Sequence, residues 1–160
     1  MGWNVTVESV NPVLRLLVIE DEDKRIRKIW EWLPNGFHAN FVKSAGRALG
    51  VLEKDGRNNY PDRPAYAGIM LDFDLYMSAA VSSDFDLSGK TVVEAIIHNM
   101  DNSIPVMVHS MNPTGAPLMV RRLEDAGFNV VRISWYELEK EVFQEWLVDV
   151  KENWEGFWGE

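Results

Sequence analysis

Three short stretches of this sequence carry side chains able to do metal or phosphate chemistry. Glu20-Asp21-Glu22-Asp23 sets four carboxylates in a row, Asp72-Phe73-Asp74 adds two, and His109-Ser110-Met111-Asn112-Pro113-Thr114-Gly115 combines an imidazole, two hydroxyls, an amide and a glycine. Carboxylates drawn from separate stretches repel one another and cannot all stay ionised in a partly dry site unless a cation joins them. An all-oxygen donor set favours a hard divalent ion, Mg2+ or Ca2+, over zinc, and Mg2+ typically takes one or two carboxylates together with waters and phosphate oxygens. Glu20, Asp21 and Asp72 are the candidate ligands. His109 can serve as general acid or base near neutral pH, or donate to an anion when protonated. Ser110, Asn112 and Thr114 are candidate phosphate contacts, and amides at a helix start beside Gly115 make an anion site that a glycine lets a ligand approach. Each group also has a plainer reading. Glu22 and Asp23 read best as the acidic start of a helix. Asp74 is either a second catalytic carboxylate or a loop residue bonding its own backbone. Asn112 or Thr114 can simply cap a helix, and a histidine at a strand end can be a hydrogen-bonded structural residue.

These side chains need elements to place them. Leu14 to Ile19 is an apolar run broken only by Arg15, as expected of a parallel strand covered on both faces. Ile26, Ile29, Trp30 and Leu33 recur at spacings of three and four and mark one face of a helix, closed by Pro34 and Gly36. Phe37 to Val42 is a second strand. Ser44 then caps a helix with Ala45, Ala48, Leu49 and Leu52 on its buried stripe, and residues 55 to 66 form a long loop. A third strand, Ala67 to Leu71, runs into Asp72. The stretch from Tyr76 to Ser88 has no period and reads as a loop over the strand ends, placed to act as a lid. Gly89 opens a helix with Val92, Val93, Ile96, Ile97 and Met100 inward; Pro105 to His109 is the fourth strand; a helix follows to Ala126 and stops at Gly127. Phe128 to Ile133 is the fifth strand, and the last helix, from about Glu137, repeats Leu138, Val142, Trp146, Val150 and Trp154.

Five strands alternating with five helices imply a doubly wound parallel α/β sheet, and the flavodoxin-like order 2-1-3-4-5 sets strands one, three and four side by side. Ligands of such sheets bind beyond the carboxyl ends of the strands, so the three stretches are expected to meet at one crevice. With 160 residues, 46% of them hydrophobic, the chain is expected to form a single domain, 1–160, with a core over about 14–151. Cysteine is absent, which removes disulfides, thiolate metal sites and a cysteine nucleophile. A formal charge of -9 opposes a bulk electrostatic grip on long nucleic acid, though a small phosphorylated ligand can still bind through a cation. No apolar run approaches a membrane span and no signal peptide is visible, so a soluble, cytoplasmic protein is expected. Trp154, Phe157 and Trp158 are either core packing or a surface for a homodimer.

The whole order resembles a response-regulator receiver domain from Leu14 to about Lys151: an acidic pair after strand one, Asp72 at the phosphoacceptor position, and Ser110 at the hydroxyl position after strand four. Ser134 stands where that family has a lysine at the end of strand five. Within the superfamily the sequence is similar to the cyclic-phosphate processing receiver-like domains, through Glu20-Asp21, Leu71-Asp72-Phe73-Asp74-Leu75 and His109-Ser110-Met111-Asn112-Pro113-Thr114-Gly115-Ala116, with Phe73 in place of that group's histidine. The resemblance implies a metal-dependent phosphodiesterase, a hydrolase that opens the cyclic phosphate of a nucleotide or RNA end. Mg2+ would sit on Glu20, Asp21 and Asp72, His109 would move the proton, and Ser110, Asn112 and the amides near Gly115 would hold the developing charge. Two other readings stand beside it. One is a signalling receiver phosphorylated on Asp72; the other is a non-catalytic module whose carboxylates only hold an ion.

Overall fold

Leu14, Leu16, Leu17, Val18 and Ile19 are all buried, so β1 (Leu14–Ile19) is covered on both faces as a central parallel strand must be. The computed structural model describes residues 13–75 and 89–159. After β1 come α1 (Asp23–Trp32), β2 (Phe37–Val42), α2 (Ala45–Lys54), β3 (Gly68–Leu71), α3 (Gly89–Asn99), β4 (Val106–Val108), α4 (Gly115–Asp125), β5 (Val130–Arg132) and α5 (Lys140–Phe157). The five strands are parallel and lie in the order β2-β1-β3-β4-β5, as the alternation of elements predicts. The expected lid, Tyr76 to Ser88, lies outside the described residues. The last helix starts later than expected, because the amides of Glu137 and Leu138 first bond back to the Ser134 carbonyl in a turn.

Alternation along the strands divides the core in two. Leu17, Ile19, Ile69, Leu71, Val106 and Val108 face the side covered by α2, α3 and α4. Leu16, Val18, Met70 and Met107 face the other side, where Ile29 of α1 and Phe143, Trp146, Leu147 and Val150 of α5 cover them. Each such buried aliphatic or aromatic side chain contributes roughly 1.5–3 kcal/mol relative to exposure. Trp146 and Val150 seat directly on Gly68, where an added Cβ would come within 3.2 Å of both side chains.

One expected face is corrected. Trp30 is 65% exposed, and Ile29 is the fully buried residue of α1. Successive helical residues turn by about 100°, so a stripe centred on Ile29 runs through Arg25 and Trp32, four back and three on, and carries Trp30 round to solvent. At the far end of the chain, Trp154 packs on the α1–α5 side of the core and lies 6.4 Å from Trp158, while Phe157 is exposed. No helix among the described residues is long and apolar enough to cross a membrane.

The loop after α2 is fixed by a polar knot. The Tyr66 hydroxyl donates to the buried Asp55 carboxylate and accepts from Asn40 Nδ2 at 2.9 Å, while the Arg15 guanidinium lies over its ring at 4.9 Å. Burial and the bond to Asp55 push the Tyr66 hydroxyl up to about 12, so it remains a donor throughout the ordinary pH range. Tyr66→Phe leaves the ring packed but the Asp55 carboxylate unmatched, and is expected to lower stability by about 1–3 kcal/mol in urea denaturation. A change below about 0.5 kcal/mol would show that water replaces the hydroxyl without loss.

Candidate metal and phosphate site

Register lines up the chemistry. Ile19 pairs with Leu71 and Leu71 with Val108, so the next residues, Glu20, Asp72 and His109, stand in one row at the carboxyl rim. The ladder runs one step further to hold them: the Asp72 amide donates to the Ile19 carbonyl and the His109 amide to the Leu71 carbonyl, each at 3.1 Å. Parity decides where they point. Glu20 continues the Leu16–Val18 face, Asp72 the Met70 face and His109 the Met107 face, so all three belong to the α1–α5 side. β1 and β4 are two strand spacings apart, roughly 10 Å. The longer Glu20 and His109 side chains reach across the shorter Asp72, and Glu20 Oε1 meets His109 Nε2 at 2.8 Å with both side chains fully buried.

Ligand oxygens of Glu20, Asp21 and Asp72 all lie within 4.8 Å of one another, and all three residues are buried. Arg25 reaches into this group from the first turn of α1. Its Nη1 is 3.6 Å from Glu20 Oε1 and 3.6 Å from Asp72 Oδ2, and its Nε is 3.4 Å from Glu22 Oε2. The guanidinium also sits over Trp135, 5.3 Å from the ring centroid, and Trp135 stacks on Trp32 while presenting to the edge of His109. Two adjacent carboxylates are thereby driven in opposite directions. Burial pushes Glu20 up, but the bond to His109 and its charge, the Glu22 amide and Arg25 outweigh it and hold Glu20 below the usual carboxylate range. Burial raises Asp72, Glu20 raises it further, and His109, Arg25 and Ser110 do not fully offset the two. With Glu20 ionised, the bond to His109 requires its proton on Nε2.

The third stretch is organised differently from the expectation. Asn112 Oδ1 accepts from the amides of Thr114, at 3.0 Å, and Gly115, at 2.6 Å, so the helix-start amides expected to receive an anion are already capped. Asn112 Nδ2 donates to Asp74 Oδ1 at 3.2 Å, which ties the two expected site residues to each other. The Thr114 side chain makes no capping bond and is exposed. Gly115 faces the Phe73 ring, where an added Cβ would meet three ring carbons at 2.8 Å, so its missing side chain serves packing rather than ligand approach. Ser110 is fully buried, accepts from the Asn112 amide at 3.1 Å, and its hydroxyl favours the ionised form of the neighbouring Asp72. Ser134 Oγ donates to Glu137 at 3.2 Å. Asp23 starts α1 and pairs with Lys43 at 2.6 Å, as the helix-start reading predicts.

Thus the rim brings Glu20, Asp21, Asp72, His109 and Ser110 together, while Asp74 is tied to Asn112, which caps the helix start at Gly115. Three carboxylates around a 4.8 Å space fit a hard divalent ion, since the set offers anionic oxygen and no sulfur. Arg25 and Trp135 escaped the reading of the sequence. The signal for Arg25 was its place four residues before Ile29 on the inward stripe of α1, with charge masking the position.

No protein-family model matches the sequence, and no curated protein matches it. Solved structures do. The receiver domain of a sensor histidine kinase from Pseudomonas aeruginosa PAO1, with magnesium coordinated in its active-site cleft, is 17% identical with a TM-score of 0.59, over 86% of this chain and 96% of that one. The CheY-like receiver domain from Methanospirillum hungatei JF-1 is 12% identical with a TM-score of 0.62, over 88% and 96%. The phosphorylated cyanobacterial phytochrome response regulator RcpA is 24% identical with a TM-score of 0.56, over 89% and 92%. At these identities the likeness is one of architecture, and the architecture on which this chain is built is the response-regulator receiver fold.

Proposed function

We propose that this protein is a receiver-like signalling domain that holds a hard divalent cation on Glu20, Asp21 and Asp72 and receives a phosphoryl group at Asp72. The observation that carries the reading is the meeting of three carboxylates within 4.8 Å at the ends of adjacent strands. The magnesium in the Pseudomonas receiver and the phosphorylation of RcpA support it by analogy of fold. A bound ion would neutralise the cluster and polarise a phosphoryl oxygen. The chain's own residues would hold the acceptor in place: Arg25 stands between Asp72 and Glu20, and His109 anchors Glu20.

The second reading, opening of a cyclic nucleotide or RNA-end phosphate, draws on the block from His109 to Ala116. Against it stand the fully buried His109 ring, whose Nε2 proton is committed to Glu20, and the capped amides beside Gly115. One experiment separates the readings. The protein is incubated with Mg2+ and either acetyl phosphate or a cyclic nucleotide, and followed by mass spectrometry and phosphorus NMR. An Mg2+-dependent phosphoryl adduct that disappears in Asp72→Asn is expected. Ring opening without an adduct would install the cyclic-phosphate reading in its place, and ion binding with neither reaction would reduce the protein to a binding module.

A further inference from the structure

We infer that Arg25 is a tethered cation occupying the charge position of the divalent ion, so that ion binding must displace it; the inference rests on the ion-binding reading of Glu20, Asp21 and Asp72. Its guanidinium bridges Glu20 and Asp72 at 3.6 Å from each, the same two carboxylates that belong to the candidate ligand set. Both distances exceed the 2.7–3.2 Å range of an N–H···O hydrogen bond. The buried Nε also has no hydrogen bond, although the Glu22 carboxylate stands 3.4 Å away. The guanidinium therefore neutralises the cluster by charge without being locked to it by geometry. A bidentate arginine would hold far more firmly.

The position of Arg25 explains how the cluster stays folded and also what loading must overcome. Only 5% of the Asp72 side chain and 12% of the Arg25 side chain are exposed, so the acceptor carboxylate lies beneath its own counter-charge. At β5, the strand end that adjoins β4, Ser134 is engaged with Glu137 and the Arg132 residue is exposed. Positive charge thus reaches the carboxylates from α1. Like charges a few ångströms apart disfavour one another strongly at the effective dielectric of a protein rim. Two further groups attract the guanidinium from outside the ligand set: Glu22, 39% exposed, at 3.4 Å, and the face of Trp135 at 5.3 Å. The domain is thereby built to exchange an internal cation for an external one.

The test compares the full chain with Arg25→Met and Arg25→Lys, using calorimetric titration with MgCl2 and MnCl2 and thermal melting with and without the ion. Arg25→Met is expected to bind either ion roughly tenfold more tightly, to melt lower than the unsubstituted protein when ion-free, and to recover on adding Mg2+. Arg25→Lys, which keeps the charge, should bind as the unsubstituted chain does. Equal or weaker ion binding by Arg25→Met overturns the inference and leaves the ion site standing. Absence of ion binding in every variant overturns the reading of the site itself. If Arg25→Met does not fold ion-free, Arg25→Gln is compared in saturating Mg2+: folding only with the ion supports the exchange, and failure in both conditions overturns it.

Discussion

Glu20→Ala is expected to lower the stability of this domain by about 3–5 kcal/mol, the cost of removing a buried carboxylate that offsets the Arg25 charge and bonds His109. Glu20 is fully buried, accepts from His109 Nε2 at 2.8 Å and from the Glu22 amide at 2.9 Å, and has the Arg25 guanidinium 3.6 Å away as counter-charge. Alanine strands the His109 donor inside the α1–α5 side of the core and removes the anchor that draws the start of α1 onto the strand ends. Urea denaturation with tryptophan-independent detection, by far-ultraviolet circular dichroism, reads the loss directly. Glu20→Gln keeps an acceptor for His109 and should lose less. The pH dependence carries the same sign. Folding lowers the Glu20 pKa from its ordinary 4.5, so its contribution is present above that value and disappears as pH falls through the folded one. A loss under about 1 kcal/mol for Glu20→Ala would mean that the rim relaxes around the gap and that the pair is not what holds α1.

Asp72→Asn is expected to act oppositely on two quantities. Affinity for Mg2+ or Mn2+ should fall on the order of 100-fold, at the upper end of the 10–100-fold that loss of a supporting residue costs a metal site. Ion-free stability should hold or rise by up to about 1 kcal/mol. The reason is the opposite shift of the two neighbours. Burial raises the Asp72 pKa above its ordinary 3.8, so protonation favours the fold; that contribution is complete below 3.8 and is lost as pH climbs through the raised value. At neutral pH an ion-free Asp72 carboxylate therefore opposes folding, and an amide of the same shape removes both its desolvation and its repulsion with Glu20. Calorimetry and urea denaturation on the same preparation check both halves. Unchanged ion affinity would remove Asp72 from the ligand set, and a stability loss above about 1 kcal/mol would show that its attraction to Ser110 and to the Arg25 charge outweighs its burial.

The sheet was legible because its signals are strong and local: an apolar run at Leu14–Ile19, a second ending at Leu71 and a third ending at Val108, each followed at once by a polar residue that cannot enter the core uncompensated. Convergence of Glu20, Asp21 and Asp72 followed from strand order alone. Which face the residues take was also written in the alternation, since Val18–Glu20, Met70–Asp72 and Met107–His109 are each two apart. The partners were not legible. Glu20 and His109 are 89 residues apart and separated by a whole strand, so only side-chain reach across Asp72 joins them. The spacing of Arg25, Ile29 and Trp32 marked the inward stripe of α1, but charge at Arg25 and the bulk of Trp30 point the eye the wrong way. Capping by Asn112 was one of two readings open for that residue. Its bond to Asp74 depends on a contact between two loops that no local pattern encodes.

The column formed by Trp32, Trp135 and the overlying Arg25 gives the rim an intrinsic optical reporter. An indole whose ring centre lies 5.3 Å from a guanidinium carbon, with an imidazole nearby, emits in a field set by that cation, so movement of the guanidinium changes its colour and brightness. Occupancy of the carboxylate cluster can thus be followed in unlabelled protein, with Trp135→Phe identifying which of the seven tryptophans carries the signal.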